Sequence, residues 1–264
     1  MLARAEKTYA AGEYGKAETE FQLAEETAKE RFGESSLEYA AALNIHAGAL
    51  CGQKKHEAAV SKYELAAEIR KRKLGSAHRD YAVVLNNLGF CQLQAENLTD
   101  AARNLQTART TVSALKPEDP ILFSLILGNL GEVAYRSGKQ AEAEKHFAQA
   151  VALLKRSVSE DDPMLGTAYN NLGYVSSALG KYPQAISLYE AALKIMEKHY
   201  GPDHPEVAHA LHNLSESCRE SGDEARAPPK LTSCRVSYRC HTTALPGSSS
   251  PNRTRQRMLE ASNV

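Results

Sequence analysis

The sequence predicts an all-α fold, a solenoid of five helical hairpins and a broken sixth, on three observations. First, the chain aligns with itself when shifted by 42 residues. Asn87-Leu88-Gly89, Asn129-Leu130-Gly131 and Asn171-Leu172-Gly173 share one phase, which Asn213-Leu214-Ser215 continues. Further columns hold Ala17, Ala59, Ala101, Ala143, Ala185 and Ala227; Phe21, Tyr63, Leu105, Phe147 and Tyr189; and Ala24, Ala66, Ala108, Ala150 and Ala192. Second, apolar residues inside each unit return at three and four, the spacing of one helix face. Third, period-two runs and hairpin turns are missing from the repeats, so no strand pattern competes.

The unit from Gly166 to Glu206 shows how each element arises. Ala168 to Leu179 has helical periodicity, and Gly180-Lys181 is a turn because Gly accepts the left-handed conformation that ends helices. Tyr182-Pro183 opens the second helix, where Pro costs little since the first helical amides lack partners. Ala185, Leu188, Tyr189, Ala192, Leu193 and Ile195 form its apolar face, with Lys194, Glu197 and Lys198 on the wet side. Gly201 stops it, and Asp203 is the expected cap of the helix that follows. Gly89, Gly131 and Gly173 fall mid-helix, where each costs about 0.5–1 kcal/mol relative to Ala. That recurring cost implies helices packed too closely for a larger side chain, with the knobs at 21, 63, 105, 147 and 189 filling the space between hairpins.

The phase gives units of approximately 1–36, 37–79, 80–120, 121–163 and 164–205, then a degenerate 206–240. The regular solenoid is expected over 1–227. Pro228-Pro229 falls in the early turns of the last second helix, where proline removes donors and clashes with preceding carbonyls. Residues 241–264 then read as a basic, disordered Ser/Pro-containing tail. The abrupt loss of phase suggests a tail that replaces further repeats through splicing or a shifted frame. Met1 falls inside the first helix, which should therefore be short.

Lys plus Arg equals Asp plus Glu at 32 each. The charge is divided unevenly, with the chain from Pro228 onward at +5 and the repeats at −5. No run of 18 apolar residues predicts a membrane span. Five cysteines without a CxxC pair imply a reducing compartment, hence a cytoplasmic protein.

A helix with Leu-Gly, a Gly turn, then Ala, Phe or Tyr, and Ala at these offsets resembles the tetratricopeptide repeat. The 42-residue period, the Asn-Asn-Leu-Gly start and the linker Gly201-Pro202-Asp203-His204-Pro205 resemble the long repeats of kinesin light chains and nephrocystin-type proteins. Gly33 and Gly75 keep the linker phase, while Pro117 and Ser159 replace its Gly. The resemblance implies a right-handed α-α superhelix whose first helices line a concave wall. On that wall it places Asn86, Asn170 and His212, Phe90 and Tyr174, and Tyr135 and Arg136.

Asn side chains can donate and accept, so Asn86 and Asn170 are expected to hold a peptide backbone. Phe90, Tyr135 and Tyr174 offer flat apolar area, and Arg136 a charge able to read a carboxylate. Asn87, Asn129, Asn171 and Asn213 are instead expected to bond adjacent helices. The positions of a carboxylate clamp hold Val83, Leu125, Thr167 and His209, which excludes that specialised form. His209, His212 and Glu216 share a helix face at a spacing usable by a metal, yet no fourth ligand is identifiable and solvated polarity is the simpler reading.

No phosphate loop, nucleophile elbow or paired carboxylate stands out, so neither catalysis, nor a cofactor, nor a bound metal is expected. The expected function is a non-catalytic scaffold that binds an extended segment of another protein, with no small-molecule substrate. Val207, Leu211 and Leu214 are expected to be exposed on the last repeat and to favour self-association where the tail does not cover them. The alternative class is nucleic-acid or anionic-surface binding through Arg253, Arg255 and Arg257, against which stands a tail without aromatic residues.

Overall fold

The structure, a computed structural model, describes residues 1–116 and 118–226. Among these residues every regular element is helical. Five hairpins follow in order: α1 (Leu2–Ala10) with α2 (Tyr14–Phe32), α3 (Leu37–Gly52) with α4 (His56–Leu74), α5 (Arg79–Gln94) with α6 (Leu98–Ser113), α7 (Pro120–Arg136) with α8 (Gln140–Ser157), and α9 (Pro163–Ala178) with α10 (Tyr182–Tyr200). A sixth first helix, α11 (Pro205–Ser221), leads to a 3-10 turn over Glu224–Arg226. The chain is an all-α solenoid of helical hairpins, as its repeat pattern requires. Ala227, Pro228-Pro229 and the basic tail lie outside the described residues, as does Pro117.

The third, fourth and fifth hairpins each close on a mid-helix glycine. A Cβ on Gly89 would lie 2.6 Å from Leu105 Cγ, one on Gly131 2.7 Å from Phe147 Cε1, and one on Gly173 3.0 Å from Tyr189 Cε1. The glycines thus do mark close approach. The knobs at 105, 147 and 189 meet the glycine of their own repeat. Knobs also pack against the next hairpin, Phe21 with Ile45 and Ala49 of α3 and Tyr189 with Val207 and Leu214 of α11. They therefore seal the hairpin and fill the space between hairpins as expected. The Ala columns complete the contact, with Ala17, Ala59, Ala101, Ala143 and Ala185 all fully buried.

The turn inside each hairpin needs a left-handed residue. Gly12, Gly138, Gly180 and Gly222 supply it at φ 74–81°, and Lys54 and Glu96 occupy the same phase at φ 64° and 60°. Between repeats, Gly33, Gly75 and Gly201 terminate helices of 19 residues each. Where that glycine is replaced, α6 has 16 residues and α8 has 18. The cap of α11 is His204, whose Nδ1 accepts from the Glu206 amide at 3.2 Å, not the expected Asp203. Pro205 opens that helix, its missing N–H being no loss there, so the cap is fixed at the residue before it. His78 does the same for α5.

Contacts group the described residues into two compact units, Met1–Asn129 and Leu130 onward. In the first, Phe21 packs with Ala5, Tyr9, Ala17, Ile45 and Ala49. His46 of α3 lies over the Phe21 ring and hydrogen-bonds Glu25 of α2 at 2.7 Å. Lys62 of α4 reaches the same carboxylate at 2.8 Å, so three helices share one nearly buried charge cluster.

In the second unit, Tyr189, Ile186, Leu193 and Met196 of α10 cover Val207, Ala210 and Leu214 of α11. Val207 and Leu214 are therefore buried and Leu211 is half-buried against them. The exposed apolar strip expected on the last repeat does not exist. Its residues are the core that docks α11, which removes the reason for expecting self-association there. Polar links repeat at a spacing of 37: Glu18 with Lys55, Glu144 with Lys181, and Asp161 with Lys198. Such pairs link neighbouring repeats at the surface while adding little stability each.

Candidate protein-binding face of the first helices

Successive first helices touch directly, and the polar residues of the Asn-Leu-Gly motif make part of that contact in the first unit. The Asn87 amide donates to Asn44 Oδ1 at 3.2 Å, and the Asn129 amide donates to Asn86 Oδ1 at 2.9 Å. Each link joins the motif Asn of one repeat to the preceding position of the repeat before it. The structural role expected for Asn87 and Asn129 is thus present. Asn171 and Asn213 carry buried amide atoms without a partner, Oδ1 and Nδ2 respectively. In the sequence, Gly128 stands where the ladder's preceding Asn would pair with Asn171.

Burial changes the part played by Asn86 and Asn170. Asn86 is fully buried and accepts from Asn129, while Asn170 is 2% exposed with its Oδ1 enclosed. Neither amide faces solvent, so neither is placed to take up a peptide backbone. Phe90 of α5 is half-buried and lies in the first unit.

The second unit carries an aromatic pair on this face. Tyr135 of α7 and Tyr174 of α9 pack edge to face with centroids 5.1 Å apart, and their hydroxyls lie 3.3 Å apart. Both rings remain partly exposed. Burial, followed by the hydrogen bond with Tyr135, pushes the Tyr174 hydroxyl well above the usual phenol range. Tyr174 is therefore neutral under all physiological conditions.

Arg136 follows directly, but its Nε donates to Glu132 Oε1 at 2.6 Å within the same helix. Both side chains are nearly buried. The guanidinium is engaged by an internal carboxylate, so the local surface is close to neutral and the expected carboxylate reader is already paired. Ser177 and Ser217 continue the contact between α9 and α11 at 3.1 Å. His212 is exposed on α11. Burial, then the neighbouring His212, holds His209 below the usual imidazole range, and Glu216 pairs with Arg219 at 2.8 Å. The Glu216 carboxylate is thus committed elsewhere, which argues against a metal on that helix.

A cluster that sequence reasoning missed lies in the first unit: Cys51, His56 and Cys91, with their donor atoms within 4.8 Å of one another. The two cysteines are 40 residues apart, outside any short motif and out of phase with the 42-residue period.

Comparison with known families settles what kind of repeat this is. The tetratricopeptide repeat profile matches residues 38–112, 123–198 and 164–228, well over half of the chain. The chain belongs to the tetratricopeptide repeat family. The fold is similar to that of BtubC (BKLC) from P. vanneervenii, with a TM-score of 0.69 and 17% identity over 95% of this chain and 92% of that one. It is similar to the kinesin light chain TPR-like repeats of Podosopora anserina, with a TM-score of 0.60 and 18% identity over 70% of this chain and 87% of that one. PilF of Pseudomonas Aeruginosa has a TM-score of 0.60 and 18% identity over 86% and 85%. Comparison with curated proteins gives no significant match.

Tetratricopeptide repeats commonly mediate protein–protein interaction. No helix among the described residues is long and apolar enough to cross a membrane.

Proposed function

We propose that this tetratricopeptide repeat chain is a non-catalytic binding scaffold. The first-helix face of its second unit takes an extended segment of a partner protein. The observation that carries this reading is the Tyr135–Tyr174 pair, two partly exposed rings contributed by successive repeats and fixed edge to face. Such rings bind well because they offer large contact area at small entropic cost, and they are already held in place. His212 on the next first helix adds a polar contact at the solvent edge. With Arg136 neutralised by Glu132, the segment preferred is apolar or aromatic rather than acidic. Phe90 supplies a separate apolar position on the first unit. Asn86 serves the contact between repeats, Asn170 is enclosed, and neither takes part in recognition.

The test uses the full chain against a displayed library of unstructured peptides, followed by calorimetry on the selected sequences. The double substitution Tyr135→Ser, Tyr174→Ser should weaken binding at least tenfold, as loss of aromatic anchors does elsewhere by about 1–3 kcal/mol or more. Tyr135→Phe with Tyr174→Phe should retain most of it, since the rings remain. Unchanged affinity in the Ser variant, with circular dichroism showing intact helices, would overturn the reading.

A further inference from the structure

We infer that Cys51, His56 and Cys91 form a binding site for a thiophilic divalent cation, Zn²⁺ being the ion that the donor set fits. Cys51 sits in the last turn of α3, His56 is the first residue of α4, and Cys91 lies within α5. The short α3–α4 turn, with Lys54 in the left-handed region, folds His56 back toward Cys51. The His56 Nδ1 is 4.0 Å from Cys51 Sγ and 3.8 Å from Cys91 Sγ. All three donors lie within 4.8 Å of one another.

A tetrahedral zinc with Zn–S near 2.3 Å and Zn–N near 2.0–2.1 Å sets neighbouring donors about 3.5–3.8 Å apart. The sulfur–nitrogen distances need to contract by only a few tenths of an ångström. The sulfur–sulfur distance needs at most about 1 Å, within reach of small χ1 changes.

The chemistry selects the ion. Two thiolates and an imidazole are soft or borderline donors, which favour zinc over magnesium or calcium. On binding, each thiol gives its proton to solvent and a sulfur lone pair to the cation. His56 donates through Nδ1 and keeps its proton on Nε2. Two thiolates cancel the charge of the ion, so the buried site holds no net charge. Cys51 and Cys91 are buried while His56 is partly exposed, leaving the fourth position on the His56 side for water or an outside ligand.

The consequence is structural. The three donors come from three consecutive helices, so one ion would pin the hairpin of α3 and α4 to the first helix of the next repeat. This departs from the expectation of no metal, which rested on the missing fourth ligand beside His209, His212 and Glu216.

Cobalt is the probe. Full-length protein, kept reduced with a phosphine under nitrogen, is titrated with Co²⁺ alone. A near-ultraviolet thiolate-to-cobalt band should grow to saturation at one equivalent, with the visible bands of a four-coordinate ion, and Zn²⁺ should bleach both. Binding of Zn²⁺ should also raise the melting temperature, reversed by a chelator.

Cys51→Ser with Cys91→Ser should abolish the band, even though Cys218, Cys234 and Cys240 remain. His56→Gln, at a partly exposed helix start that tolerates change, should weaken cobalt affinity by more than about a hundredfold, beyond the 10–100-fold typical of losing an outer-shell partner. The proposal is overturned if folded, reduced wild type gives no band, or if the band survives the double Ser substitution. It is equally overturned, should the double variant not fold, by wild-type affinity and spectrum in His56→Gln.

Discussion

The Phe147 ring fills the space that a side chain on Gly131 would need: a Cβ there would come within 2.9 Å of three ring carbons. Gly128, one turn earlier on the same helix, has nothing within 4 Å of the corresponding point. The two glycines therefore make opposite predictions for one substitution. Gly131→Ala should destabilise by about 1–3 kcal/mol through overpacking. Gly128→Ala should stabilise by about 0.5–1 kcal/mol, since only helix propensity changes. Urea denaturation of the two variants checks this, and equal effects of either sign would refute the contact argument.

That pair also shows what the sequence makes legible. A costly residue repeated in phase announces a close contact, and Gly89, Gly131 and Gly173 announced theirs. The partner was harder to assign, because the phase places Phe147 on the second helix without saying which first helix it faces. Burial is harder still. Asn86 and Asn170 stand in a column that alternates with buried positions, and a helical wheel does not separate the face toward a neighbouring repeat from the face toward solvent. Cys51, His56 and Cys91 were illegible because they meet across three helices at spacings no local pattern contains.

The left-handed turn positions yield a second prediction. Lys54 at φ 64° occupies a phase held by Gly in four of the other repeats. An L residue in that region costs about 1–2 kcal/mol, offset in part by the larger entropy that Gly loses on folding. Lys54→Gly should stabilise the chain by about 0.5–1 kcal/mol. Gly138→Ala, the reverse change at φ 76°, should cost about 1 kcal/mol or more. Thermal melts of both variants read the sign directly.

Glu25 gives the acid limb of stability. Burial alone would raise its pKa, but hydrogen bonds from His46 and Lys62 outweigh that and hold it below its ordinary value of 4.5. A carboxyl with a lowered folded pKa stabilises fully above its unfolded pKa and loses that contribution as pH falls through the folded one. Glu25→Gln should cost about 1–3 kcal/mol at pH 7, the scale of hydrogen bonds to charged groups. The gap between variant and wild type should narrow as pH falls below 4.5. A gap independent of pH would mean that the cluster acts by packing alone.

Tyr189 sets the alkaline limb and turns on an uncompensated group. Its side chain is fully buried against Gly173, and its hydroxyl has no hydrogen-bond partner among the described residues. Burial, then the neighbouring Tyr174 and Tyr135, raises its pKa far above the ordinary 10.0. Because the folded state holds the phenol protonated while the unfolded chain releases the proton near pH 10, its contribution is intact below that pH and declines above it. Tyr189→Phe keeps the ring and removes the enclosed hydroxyl, so it should stabilise by about 1 kcal/mol at pH 7, the low end of the cost of an unsatisfied buried group. At pH 11 the advantage should widen, since the wild type alone pays to keep a phenol protonated. Urea midpoints at the two pH values decide the matter. A variant less stable than wild type at pH 7 would mean that the hydroxyl is satisfied in solution, and an advantage that shrinks toward pH 11 would place the proton elsewhere.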